Sequence, residues 1–148
     1  MTILLLLCAM VLQTGCVMLP IPTTERMLAG IEVTQEQLAF LVPKVTTKEE
    51  VIEHLGSPNV IWEDAQVFSY DWVVRQGVLV WMVGSYGAAT GGIEDIPKRY
   101  SFLIQFDEHG RVQRFEKVVR PALKPYGDFL KEWVREHDKT IPSTAVEK

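Results

Sequence analysis

Apolar and polar residues alternate with a period of two over residues 67–74 and 99–107. This period is typical of half-buried antiparallel strands, whose successive side chains point to opposite faces. The alternation predicts one shared aromatic inner face, made by Phe68, Tyr70, Trp72, Tyr100, Phe102 and Phe106. We interpret this face as core, because burying such a side chain contributes roughly 2–3 kcal/mol. A ligand groove is the alternative interpretation.

A turn and a third strand follow the second alternating stretch. Asp107-Glu108-His109-Gly110 is typical of a turn, since Asp favours its first position and Gly accepts a positive φ. The strand is predicted over residues 111–119. Val112 and Phe115 are out of phase there, which indicates an edge strand or a bulge.

Helical periodicity surrounds the predicted sheet. Thr47-Lys48-Glu49-Glu50 is a capping box, and apolar residues follow it at helical spacing up to Leu55. Gly56 suits the left-handed position after the helix, and Pro58 prevents its continuation. A short helix is also predicted over Gln35–Leu41 with Thr34 as N-cap, and an amphipathic helix near Asp128–His137.

The segment between the alternating stretches allows two interpretations. The apolar run Val78–Val83 either extends the first strand past Gly77 or forms a strand of its own. The glycine-rich residues 84–92 are predicted to be a mobile loop. Because exposed aromatic residues are common at protein contacts, Trp81 and Tyr86 are the candidate partner-binding residues. Contact with a membrane is the other interpretation of this segment.

Residues 3–12 are uninterruptedly apolar and are followed by Gln13-Thr14-Gly15-Cys16. A spanning helix needs about 20 apolar residues, so this run is too short to cross a bilayer. It resembles the signal of a bacterial lipoprotein. The resemblance implies that residues 1–15 are removed and that Cys16 becomes the acylated first residue. By resemblance to Gram-negative lipoproteins, Val17 rather than Asp after the cysteine implies the outer membrane, with the protein on its periplasmic face.

Composition favours one ordinary domain behind this leader. The chain has 148 residues, and residues 16–32, which include Pro20 and Pro22, are predicted to be a tether. The predicted domain covers residues 33–120, and a C-terminal helix and tail cover 121–148. Cys8 would leave with the signal and Cys16 would be acylated, so no disulfide or multi-cysteine zinc site is expected.

Charge and candidate chemistry argue against nucleic-acid binding and catalysis. Residues 111–148 hold 9 basic and 6 acidic side chains, too mixed for a nucleic-acid stripe. Glu50 and His54 share a helical face, but no third metal ligand is evident nearby. Asp107 and His109 lie within the predicted turn, where Asp has a structural role. We therefore predict no catalytic residues, no metal and no cofactor.

The helix ending in Leu55-Gly56-Ser57-Pro58 and the turn Phe106–Val112 together resemble the SmpA/OmlA (BamE-like) family of small envelope lipoproteins. The resemblance covers roughly residues 46–118. It implies an α+β two-layer sandwich, with short N-terminal helices packed on a three- to four-stranded antiparallel sheet. The C-terminal helix is additional. The resemblance also implies a non-catalytic role in outer-membrane assembly or envelope integrity, with envelope proteins, β-barrel assembly components among them, as partners.

Two functional hypotheses follow. The first is a lipid-anchored protein-binding module. The alternative is a small-ligand or lipid-binding lipoprotein that uses Val78–Val83 and the following loop as a mouth.

Overall fold

The computed structural model describes residues 15–85 and 88–138. Five strands and two α-helices are seen among these residues. In chain order they are β1 (Gly15–Gly30), α1 (Lys48–Leu55), β2 (Val60–Trp62), β3 (Val67–Ser85), β4 (Ala88–Phe106), β5 (Val112–Arg120) and α2 (Tyr126–Asp138). Single 3-10 turns occur at Glu36–Leu38 and Glu63–Ala65.

The strands form one sheet in the order β1-β3-β4-β5, with β2 paired to β3. Contacts divide the chain into two compact units. Unit 1 contains the described residues up to Leu28 together with Val74–Lys98, and unit 2 contains Ala29–Val73 and the described residues from Arg99 onward. The long strands β3 and β4 contribute residues to both units.

The predicted two-layer sandwich with several N-terminal helices is wrong. Antiparallel strands dominate the described chain, and α1 is the one α-helix described before β2. The helix predicted over Gln35–Leu41 shortens to the 3-10 turn Glu36–Leu38. Thr34 Oγ1 still accepts a hydrogen bond from the Gln37 backbone N–H, at 3.4 Å. The N-cap position of this turn is Gln35, which makes no side-chain cap hydrogen bond, so the N-cap predicted at Thr34 is wrong.

Helix α1 begins at the capping box that the sequence predicts. The Thr47 side chain accepts from the Glu50 backbone N–H, and Glu50 Oε2 accepts from the Thr47 backbone N–H at 2.8 Å. Gly56 follows the helix with φ +79° and ψ −172°. The predicted positive φ is confirmed, although this ψ lies outside the left-handed helical region.

The sheet in unit 2 is buried on both faces. The aromatic face packs as predicted: Phe68 and Phe106 meet edge to face at 4.7 Å between ring centroids, and Trp72 stacks on Tyr100 at 5.5 Å. The opposite face, predicted to be polar, is covered by α2. Its core cluster consists of Val67, Leu103, Phe129, Leu130 and Trp133.

Strand β5 carries the irregularity predicted for it. It lies at one end of the strand order. Gln105 pairs with Arg114, whereas Phe106 pairs with Val112, so Gln113 is the extra residue of a bulge. The shift allows Val112 to be fully buried while the strand continues along the edge.

Residues 16–32, predicted to be a tether, instead lie largely within strand β1, which runs from Gly15 to Gly30. Proline is compatible with this position because an edge strand has backbone groups that need no partner in the sheet. A Cβ at Gly30 would lie 2.5 Å from the Asp71 carbonyl oxygen, so the end of β1 packs directly on the backbone of β3.

The prediction of a glycine-rich mobile loop over residues 84–92 is also wrong for the described residues of that range. Strand β3 continues past Gly77 to Ser85, and β4 already includes Ala88 and the glycines that follow it. Of the two interpretations of Val78–Val83, extension of the preceding strand is confirmed. A Cβ at Gly91 would lie 2.6 Å from the Trp81 carbonyl oxygen, so glycine permits a close approach of two strands here.

Candidate functional site

Cys16, the predicted acylation site, is exposed at the start of β1. Only Gly15 precedes it among the described residues, and the apolar leader lies outside them. A modification at this thiol would therefore be attached directly to a strand of the sheet. This geometry differs from the expected one, in which slack chain separates the anchor from the folded body.

Trp81 lies on β3 with its indole ring against β4. A Cβ at Gly92 would lie 3.0–3.2 Å from three atoms of this ring, so the ring covers the glycine. Such cross-strand packing stabilises a strand that contains glycine. Trp81 keeps part of its surface exposed. Tyr86, the other predicted contact residue, lies outside the described residues.

The possible metal ligands on α1 are engaged in structural contacts. Glu50 completes the capping box. The His54 ring stacks on Phe40 with 4.2 Å between centroids, and His54 Nδ1 lies 2.9 Å from the Glu50 carbonyl oxygen. No group of three or more potential metal ligands occurs in the described part of the chain.

Asp107 organises the turn before β5. Its Oδ1 accepts the backbone N–H groups of His109 and Arg111, each at 2.9 Å. The hydrogen bond from Arg111 is the main cause that lowers the pKa of Asp107, and the bond from His109 acts in the same direction. The carboxylate thus has a structural role in the turn, as its position in the sequence predicts.

A polar cluster that the sequence did not reveal lies beneath the start of α2. Asp71 Oδ1 accepts from Ser69 Oγ at 2.9 Å and from Ser101 Oγ at 2.5 Å. Tyr126 donates to Ser69 Oγ at 2.5 Å. Burial raises the pKa of Tyr126 to about 12. The cluster satisfies hydroxyl groups buried between helix and sheet, and the alternating Ser69, Asp71 and Ser101 were its only sequence signal.

The aromatic face is filled by protein, which favours core over a ligand groove. Lys117 Nζ lies over the rings of Trp72 and Tyr100, 4.9 and 4.8 Å from their centroids. The same ammonium group bonds to Glu32 Oε1 at 2.8 Å. This ion pair lies beside the point where β1 ends, because Gly30 packs against Trp72.

One pocket of about 270 Å³ lies within unit 2. It is lined by residues of the β1 end, the α1 end and β3: Gly30, Ile31, Glu32, Val33, Gln37, Leu55, Ser57, Asn59 and Tyr70. Its volume is below the roughly 300–1,000 Å³ of typical small-molecule sites. The Tyr70 hydroxyl donates to the Gly56 carbonyl at 2.9 Å, and burial raises the pKa of Tyr70 to about 12. Val78–Val83, the predicted mouth, does not line this pocket.

Compared with known proteins, the chain matches no protein-family model, no curated protein and no solved structure. Among the described residues, no helix combines the length and the apolar character needed to cross a membrane.

Proposed function

We propose that this chain is a lipid-anchored protein of the bacterial cell envelope that binds other envelope proteins and has no catalytic activity. The observation that carries the proposal is the position of Cys16. The cysteine follows an apolar segment of secretory length and is exposed at the start of β1. An acylating enzyme needs such an accessible thiol, and a buried cysteine could not be modified without unfolding.

Acylation at Cys16 supplies the membrane attachment. Each methylene buried in a bilayer contributes about 0.8 kcal/mol, yet one fatty chain alone gives only marginal binding. The lipoprotein resemblance implies several acyl chains on this residue, enough for stable attachment. Val17 at the following position supports placement in the outer membrane, with the folded units on the periplasmic face.

The contacts of the polar side chains support a binding role over catalysis. Glu50 and Asp107 are hydrogen-bonded within a helix cap and a turn, and Asp71 within the cluster beneath α2. A general acid or base must be within hydrogen-bond reach of a substrate, and these carboxylates are already used by the fold. The resemblance to the SmpA/OmlA (BamE-like) family supports partners in outer-membrane assembly.

Metabolic labelling with a fatty-acid probe tests the anchor. Wild-type protein should take up the label and sediment with envelopes, whereas Cys16→Ser should lose both properties. Cys8→Ser is the matched control, because Cys8 leaves with the leader and should be dispensable. Equal labelling of wild type and Cys16→Ser, or full membrane sedimentation without label, would contradict the proposed anchor.

Partner binding needs a separate measurement. Crosslinking in intact envelopes, followed by affinity purification, should recover the same envelope protein with wild type and with Cys8→Ser. Cys16→Ser should recover much less of it, because the unanchored protein is diluted away from the membrane. Failure to recover any specific partner across several crosslinkers and detergents would contradict the protein-binding role.

A further inference from the structure

All the charged side chains described in unit 1 lie at one end of it. Arg75 pairs with Asp95 at 3.4 Å, and Lys98 pairs with Glu25 at 3.7 Å. Arg26 and Glu94 lie at the same end, and the other described residues of unit 1 include no Asp, Glu, Lys, Arg or His. We call this region the uncharged end of unit 1, and it comprises residues 15–24, 76–84 and 88–93.

Cys16 lies on the part of β1 that runs beside the uncharged part of β3. A Cβ at Gly77 would lie 2.7 Å from the Ile21 carbonyl oxygen, and the Gly30 Cβ position lies against Asp71. Residue numbers therefore rise along β1 as they fall along β3, so these two strands are antiparallel. Cys16 precedes Ile21 along β1 and Met82 follows Gly77 along β3, so Cys16 and Met82 lie on the same side of this contact.

The uncharged end has large apolar side chains but no core of its own. Val74 is the one buried hydrophobic side chain described in unit 1, and it lies at the charged end. Met18 is 63% exposed and Met82 is 54% exposed. The exposed apolar residues of the uncharged end are Val17, Met18, Leu19, Ile21, Met82, Val83 and Ile93. Neighbouring residues of a strand point to opposite faces, so exposed apolar side chains occur on both faces of this end. Exposed apolar surface of this kind marks an interaction surface.

The outer edge of β1 is poorly suited to pairing with a further strand, which argues against a strand as the cover of these exposed side chains. Pro20 and Pro22 lie in β1 and have no backbone N–H. In a strand, prolines fit where the N–H would face away from the partner strand, so the outer edge loses donors at both positions. A second copy of the chain or a peptide would need those donors, whereas a lipid surface would not.

The backbone also limits how deeply a membrane could receive this surface. The remaining polar groups on an open strand edge need water or lipid headgroups, which excludes the centre of the hydrocarbon. Trp81, partly exposed on β3, is of the residue type that prefers the boundary between headgroups and acyl chains. The open strand edge, the lack of charged side chains and the partly exposed Trp81 all fit the boundary between headgroups and acyl chains.

We propose that the uncharged end of unit 1 inserts at the boundary between headgroups and acyl chains of a phospholipid membrane, next to the acyl chains of Cys16. The inference rests on the proposed function only for the lipid on Cys16, which brings this surface to the membrane. It adds that no flexible linker separates the acylated Cys16 from the folded chain. Strand β1, which bears the lipid, and the neighbouring parts of β3 and β4 form one contact surface.

Photocrosslinking from the lipid side tests this contact. The native protein is reconstituted into vesicles of phosphatidylethanolamine and phosphatidylglycerol that contain a diazirine-bearing phosphatidylcholine. After illumination, mass spectrometry locates the lipid adducts. We expect adducts on residues 17–21 and at Met82, Val83 and Ile93.

Two variants with matched exposure make the test specific. Met82→Asp, combined with Leu19→Asp, should lower the adduct yield about threefold, since a charge near the bilayer interface is mildly unfavourable. Ile61→Asp changes a 56% exposed apolar residue of unit 2 and should leave the yield unchanged. Circular dichroism confirms that both proteins remain folded.

The outcomes separate this inference from the anchor itself. Fatty-acid label on Cys16 with adducts spread over both units, or without adducts, would overturn the inference and leave the anchor intact. Crosslinks from the uncharged end to another protein in place of lipid would also overturn it. Adducts at the expected residues without label on Cys16 would support the inference and refute the anchor.

Discussion

Replacing Gly30 by alanine tests whether β1 belongs to the folded sheet. Gly30 has φ +81°, and an added Cβ would lie 2.5 Å from the Asp71 carbonyl oxygen and 2.9 Å from Trp72 Cα. Both contacts are with backbone, so no side-chain rotation can relieve them. Either β1 or β3 must move, and that displacement weakens the packing of the Trp72 face.

Gly56→Ala provides the matched control. Gly56 has φ +79°, but an added Cβ would meet nothing within 4 Å. Its cost is therefore backbone strain of about 1–3 kcal/mol, partly offset by lower entropy of the unfolded chain. Gly30→Ala carries a similar strain plus an overpacking cost of about 1–3 kcal/mol. We expect Gly30→Ala to destabilise by about 2–5 kcal/mol and to exceed Gly56→Ala by at least ~1 kcal/mol.

Urea unfolding followed by tryptophan fluorescence measures both free energies. The comparison is valid if the two variants share the wild-type dependence on urea, since a changed slope indicates a changed native or unfolded state. Equal destabilisation by Gly30→Ala and Gly56→Ala would refute the reasoning. It would show that the end of β1 moves freely, as the tether predicted from the sequence would do.

Three further changes test the rest of unit 2. Leu103→Ala should lower the free energy of unfolding by about 3–5 kcal/mol, because Leu103 is fully buried, whereas Val119→Ala on the exposed side should have little effect in the same urea titration. Thr47→Ala should cost about 1 kcal/mol through loss of the helix cap, and Thr47→Ser should restore most of it in thermal melts. Burial raises the pKa of Tyr70 and Tyr126 from 10.0 to about 12, so both stay protonated in the folded state at a pH where the unfolded state ionises. The contribution of these two tyrosines to the free energy of unfolding should thus be fully present below pH 10.0 and should be lost as the pH rises toward about 12. Tyr126→Phe should reduce this loss of stability at high pH. An unchanged pH profile of stability in that variant would contradict the raised pKa of Tyr126.

Local signals in the sequence predicted local structure well. The capping box at Thr47 forms as expected because its hydrogen bonds join residues only three positions apart. The period of two before Val74 and before Phe106 correctly identified two strands and their aromatic face. The irregular phase of residues 111–119 correctly indicated a bulge, because an extra residue shifts every later side chain to the other face.

The long-range pairing of β1 was not predictable from its own residues. Pro20 and Pro22 are typical of linkers, and they become compatible with a strand only when that strand lies at an edge. Gly91 and Gly92 were interpreted as signs of a mobile loop, because their own residue type does not reveal a partner strand. Their role is to let β4 approach Trp81, which depends on a partner far away in sequence.

The covering of the second sheet face has a similar cause. Ser69 and Ser101 occupy positions predicted to face solvent, yet α2 buries both. The Tyr126 hydroxyl and the Asp71 carboxylate make that burial possible by satisfying the serine hydroxyls. A pattern of polar residues predicts which face they share, but it cannot reveal a helix that supplies their partners.

The candidate site is predicted in part. Cys16 was identified from the sequence, and the structure places it exposed at the start of β1. Trp81 was identified as a contact residue, and its ring packs on the neighbouring strand, partly exposed within the uncharged end. The uncharged end itself was missed, because its three segments come together only when β1, β3 and β4 pair.

The most direct test of the account is the mass of the N-terminal peptide from protein purified out of native envelopes. We expect this peptide to begin at Cys16 and to carry fatty acyl groups on that residue. A peptide that retains residues 1–15 joined to an unmodified Cys16 thiol would contradict it.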